Sequence, residues 1–109
     1  MEADGKIFGH HTRLDWEILD ALSDDYECIE HVTQLINDFS DMSINQSDVL
    51  DRLEYLHQHH YVFLLLNEVF DKAKMSEEIL GRTQNRRYWF GRTEAGYSAW
   101  KEFANKYTG

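Results

Sequence analysis

Proline is absent from this 109-residue chain, cysteine occurs once, and cations are scarce over the stretch where carboxylates are dense. Without proline the commonest interruption of a helix is missing, which points to a mainly helical chain. A lone Cys28 excludes an intrachain disulfide. It stands at helical spacing from Val32 and Leu35 with no cation near it in sequence, so a buried, inert thiol is expected. Long apolar runs are missing too. The longest, Tyr61–Leu66, is far too short to span a bilayer, and the opening MEADGKIFGHHTR lacks the apolar core of a signal peptide. A soluble, cytoplasmic protein is expected. There is no glycine-rich phosphate loop, no nucleophile elbow and no His-Glu-x-x-His segment. The adjacent carboxylates Asp24-Asp25 and Glu77-Glu78 fall at expected helix starts, where capping accounts for them. Neither an enzyme nor a cofactor is expected.

What is present suffices for one core. The hydrophobic and aromatic fractions, 42% and 14%, exclude a disordered chain. Residues 1–12 read as a loose arm and 13–109 as a single domain. Apolar periodicity predicts a helix over about Leu14–Leu22, with Leu14, Ile18, Leu19 and Leu22 inward and Asp15, Glu17 and Asp20 outward. A second helix is predicted over Tyr26–Phe39, with Ile29, Val32, Leu35, Ile36 and Phe39 inward. A third starts after Asn45, with Asp48 at its third position and Val49, Leu50, Leu53 and Leu56 facing the core. Tyr61–Leu66 reads as a buried strand, Met75–Gly81 as a short helix opened by Ser76, and Tyr88–Phe90 as a returning strand. Thr93 should cap the last helix, Thr93–Tyr107, by accepting the Gly96 N–H. Its apolar stripe is Tyr97, Trp100, Phe103, Ala104 and Tyr107.

The predicted fold is thus mainly α with a small β-hairpin (α+β). The order helix, helix, helix, strand, long wing, strand, helix resembles the winged helix-turn-helix of small bacterial transcription regulators, particularly the MarR- and PadR-like groups. In those groups the second wing strand often ends in a Leu-Thr-x-x-Gly segment that opens a terminal helix. The matching residues are Arg92, Thr93, Glu94, Ala95 and Gly96, with Arg92 standing where the families usually carry an apolar residue. The resemblance implies a winged-helix domain, a third helix in the recognition position and dimerisation through the terminal helix.

Charge argues against the usual use of that third helix. Residues 1–60 carry 14 carboxylates and 3 cations, a net of −11, whereas residues 61–109 carry a net of +2. The outward positions of the third helix should include Asp48, Asp51, Arg52, Glu54, Tyr55 and Gln58. Such a face repels phosphates, because DNA affinity comes chiefly from cations that displace counterions. Asp48, Asp51, Glu54 and Tyr55 are therefore the expected surface for a protein partner. The basic residues Lys72, Lys74, Arg82, Arg86 and Arg87 gather in the wing. They serve either to grip a phosphate backbone or, more simply, to pair with acidic residues of the same molecule or of a second subunit.

His57 and His60 share a helical face, but three or four ligands are needed for zinc and the spacing matches no zinc pattern, so no metal is expected. Capping of the helix C-terminus accounts for these histidines. Tyr55 and one ring of Tyr88-Trp89-Phe90 should be exposed. The expectation is a small acidic regulatory protein acting through protein–protein association, as a homodimer or on another partner. The alternatives are a DNA-binding regulator using a basic wing and an acidic, immunity-type or nucleic-acid-mimic antagonist.

Overall fold

The structure, a computed structural model, describes residues 12–80 and 88–108, apart from the side chains of 67, 103 and 105–108. Helix α1 (Arg13–Ala21) begins in a capping box. Thr12 Oγ1 accepts the Asp15 N–H and the Asp15 carboxylate accepts the Thr12 N–H, at 3.3 and 2.8 Å. The chain then turns into a two-residue strand, β1 (Glu27–Cys28), before helix α2 (Ile29–Phe39). The second helix is therefore shorter than its periodicity predicts. Glu27 and Cys28 pair instead with Phe90 and Trp89, so a partner distant in sequence overrides the local pattern. Cys28 is 2% exposed, but it sits in this strand rather than on the helix.

After α2 the Asn37 side chain both donates to Ile44 O and accepts from Ile44 N, each at 2.9 Å, which closes the turn into helix α3 (Gln46–Gln58). Asn45 and Asp48 form the second capping box, as the sequence predicts. At its other end α3 stops in a Schellman turn. Tyr61 N–H reaches Leu56 O and His60 N–H reaches His57 O, with His60 in the left-handed region at φ 64°.

Strand β2 (Val62–Leu64) is half of the predicted apolar run, and only Val62 and Leu64 point inward while Phe63 faces out. Leu65–Asn67 forms a 3-10 turn with Leu66 at φ 61°. Helix α4 (Lys72–Leu80) starts earlier than predicted, because Asp71 and not Ser76 accepts the orphan N–H groups of its first turn. Strand β3 (Trp89–Arg92) returns between the other two, giving a three-stranded antiparallel sheet in the order β1-β3-β2 instead of a bare hairpin. Helix α5 (Glu94–Thr108) closes the described chain, and Thr93 Oγ1 accepts the Gly96 N–H at 3.0 Å as expected.

The core joins Ile18, Leu19 and Leu22 of α1 and its end to Ile29, Val32 and Ile36 of α2, and to Val49, Leu50, Leu53 and Leu56 of α3. Phe90, Val62, Leu64 and Met75 complete it from the sheet and α4. Fully burying each such side chain is worth about 1.5–3 kcal/mol. Two residues of the predicted helical stripes stay outside, besides Phe63 and Leu66 of the predicted buried strand. Phe39 is 83% exposed, because α2 runs one turn past Ile36, the last of its residues to meet the core. Tyr97 is 43% exposed, because α5 turns Gly96 and Ala99 inward and leaves Tyr97 on the rim. Phe103 and Tyr107 belong to the side chains outside the description.

Candidate functional site

The outward face of α3 is the surface singled out by the sequence, and the structure allots most of its charges to internal partners. Arg52 does not face solvent freely. Its Nε and Nη2 bind the two Asp15 carboxylate oxygens at 2.6 and 2.8 Å. Asp15, placed outward by the periodicity of α1, is 1% exposed. A buried carboxylate needs a partner in the same place, and the planar guanidinium supplies one in two-pronged form. The Asp15 hydrogen bond raises the Arg52 pKa further above its ordinary value, against the opposing effect of burial.

Asp48 is occupied by the α3 cap. Asp51 and Glu54 converge on Lys72 of α4, at 2.8 and 3.4 Å from Nζ. Those same interactions, the Asp51 hydrogen bond first, raise the Lys72 pKa. One predicted basic-wing residue thus lies against two residues of the predicted partner surface. Lys74 is exposed, and Arg82, Arg86 and Arg87 lie outside the described residues. Tyr55 is half-buried, with the Arg52 guanidinium 4.6 Å from its ring centroid and the His59 ring 4.4 Å away. Its hydroxyl pKa is raised, chiefly by burial.

The histidines serve the end of α3. His57 packs on Phe70 at 5.2 Å, and burial lowers its pKa, with His60 adding to the shift. Among the described residues no three His, Cys, Asp or Glu side chains are grouped to hold a metal ion. Nor is any helix among them long and apolar enough to cross a membrane.

At the sheet, the exposed ring of Tyr88-Trp89-Phe90 is Trp89, 40% exposed between two buried neighbours. Gly91 admits the rings of Tyr26 and Phe63 over β3, since a Cβ there would sit 2.6 Å from Phe63 Cζ. Arg92 is accommodated as a flat cation. Its guanidinium lies 5.1 Å from the Tyr97 ring centroid and 5.0 Å from that of Trp100, and it donates to Leu19 O. Burial lowers its pKa, against the pull of Asp20.

Sequence reasoning missed the side on which α5 meets α1. Trp16 and Trp100 stack at 6.4 Å. Trp16 Nε1 donates to Trp100 O and Trp100 Nε1 donates to Asp20 Oδ1. The only signal in the sequence was the presence of a tryptophan on each helix, which does not say that they meet. Comparison with protein-family models, with curated proteins and with solved structures finds no match to this chain.

Proposed function

We propose that this chain is a winged-helix protein that acts through protein–protein association, with no catalytic role, and not by placing its third helix in a DNA groove. The winged-helix reading is supported by the order α1-β1-α2-α3-β2-α4-β3-α5, in which α4 is carried between the two wing strands, by the pairing of β1 on the far side of β3, and by the tight turn between α2 and α3. One observation carries the functional half. The face of α3 offers Asp48, Asp51, Glu54 and Tyr55, while Arg52 is engaged by buried Asp15 and Lys72 by Asp51 and Glu54. To neutralise phosphates with Arg52, the protein would have to strip a buried carboxylate of its partner, which costs more than a surface phosphate contact returns. A partner protein tolerates such a face, because interfaces accept mixed charge around an aromatic anchor like Tyr55.

The test is fluorescence anisotropy with a random-sequence labelled duplex at low ionic strength, using the full chain and its Arg86→Ala/Arg87→Ala variant. The expected result is no salt-sensitive binding by either. Tight binding that disappears in the double variant would overturn the proposal in favour of a DNA regulator that grips through its wing.

A further inference from the structure

Helix α2 ends with a phenylalanine in water. The Phe39 ring lines a groove of about 420 Å³ between α1 and α2, and with Ala21, Leu35 and Ile36 it makes up the apolar floor. The walls carry Glu17, Asp20, Asp24 and Glu27, and no lysine or arginine lines the groove among the described residues. Arg13 touches this set from outside at 3.5 Å from Glu17, but it is shared with Asp41 at 2.7 Å. Asp20 accepts from Trp100, Glu27 pairs with His31, and Arg92 acts on Asp20 and Asp24 from the α5 side, so the four carboxylates still outnumber the two neighbouring guanidinium groups and the groove stays negative. Burial holds the Glu17 carboxyl above its usual range, opposed by Arg13 and reinforced by Asp20 and Asp41. An apolar floor framed by crowded carboxylates calls for a ligand that brings hydrocarbon and positive charge together.

We infer that this groove receives a basic amphipathic segment of a partner protein, its apolar residues on Ala21, Leu35 and Phe39 and its Lys or Arg side chains on the carboxylate walls. The inference rests on the association reading above and supplies the partner's chemistry. Charge complementarity selects this occupant. A second copy presenting the same face would bring like charges together, and a nucleic acid would be repelled by the walls and gain nothing from the floor. A helix laid with its apolar stripe along such a floor is a common way for one protein to bind another.

The probe is a labelled synthetic peptide of about sixteen residues with Leu at helical spacing along one face and Lys beside it. Two controls share its length, one with Glu in place of Lys and one with the same Leu and Lys scrambled. Phe39→Ser and Asp24→Lys test the floor and the wall. Both positions are exposed, and circular dichroism checks that both variants are folded. The expected result is salt-sensitive binding of the Lys peptide alone, weakened about tenfold or more in each variant. Equal binding by wild type and both variants overturns the inference, as do equal binding of the scrambled peptide and no binding at all. So does a dimer in light scattering that Phe39→Ser dissociates, because the occupant is then a second copy. If the peptides fail and duplex DNA fails as well, only the groove falls and association through α3 stands. DNA binding lost on removing Arg86 and Arg87 defeats the reading beneath both.

Discussion

The α1 side of the molecule, where α1 meets α3 and α5, and the α3–α4 side use similar parts, a carboxylate–cation contact and a pair of rings on each, and differ in how dry those parts are. On the first side Asp15 is 1% exposed under Arg52, and Trp16 and Trp100 stack with their indole N–H groups engaged. On the second, Lys72 bridges Asp51 and Glu54 in solvent, and His57 lies against Phe70 with part of its ring exposed. Asp51 and Arg52 are consecutive residues. The difference between their ion pairs comes from which way each side chain leaves the helix and not from the chemistry of the pair. Burial converts one into a structural joint and leaves the other as a surface contact.

The sharpest way to break this comparison is to remove one carboxylate from each side. Asp15→Ala removes the two-pronged carboxylate from Arg52 and takes away half of the α1 capping box, so a loss of about 3 kcal/mol is expected. Urea denaturation measures it. Changing Arg52→Met together with Asp15→Leu should recover much of that loss, since an apolar pair of similar volume avoids the uncompensated charge. Asp51→Asn, on the wet side, should leave the midpoint unchanged within the scatter of the measurement. Equal losses from Asp15→Ala and Asp51→Asn would end the distinction.

A second substitution tests the joint where α5 begins. A Cβ on Gly96 would come within 2.1 Å of Tyr61 O, a backbone atom that already accepts the Thr93 N–H at 3.1 Å. Thr93 Oγ1 donates to His60 O at 2.6 Å beside it, so the end of α3 and the start of α5 are bolted together. The carbonyl has nowhere to rotate without breaking this joint. Gly96→Ala should therefore cost about 2–3 kcal/mol despite the better helix propensity of alanine. Thermal denaturation gives the answer, and an unchanged midpoint would mean that the joint yields easily.

These particulars also show which parts of the structure were legible in advance. The Asn45–Asp48 box and the Thr93 cap depend on residues three apart, so the pattern is complete within one turn and readable from it. Strand β1 was not readable, since Tyr26-Glu27-Cys28 continues a helical spacing and is drawn out of it only by β3, more than sixty residues away. The same holds for Asp15, whose periodicity places it outward while its partner stands 37 residues further on. Phe39 failed for the opposite reason, as a stripe continued past the point where there was a core to receive it. For the candidate surface, the acidity of α3 was legible but not the internal use of its cations. The α1–α2 groove was hidden because its walls come from three segments.

The smallest expected effect belongs to His57 and sharpens the comparison from the wet side. Burial against Phe70, helped by His60, lowers its pKa below the ordinary value of about 6.5 that it regains on unfolding. Between those two values the unfolded chain binds more protons than the folded one, so stability rises with pH across the window. The contribution is therefore complete above about pH 6.5 and is lost as the pH falls through the folded-state pKa. His57→Gln should flatten this part of the profile, because glutamine binds no proton in either state. Urea denaturation of both proteins from about pH 7.5 down to about 5.5 measures the difference. Parallel profiles would show that His57 is as hydrated folded as unfolded. Hydrogen exchange then locates the effect. On acidification the protection factors, corrected for the slower intrinsic exchange, should fall first at α4, which His57 helps to seat through Phe70, and not at α1 or α5, where the Asp15–Arg52 and Trp16–Trp100 contacts contain no histidine.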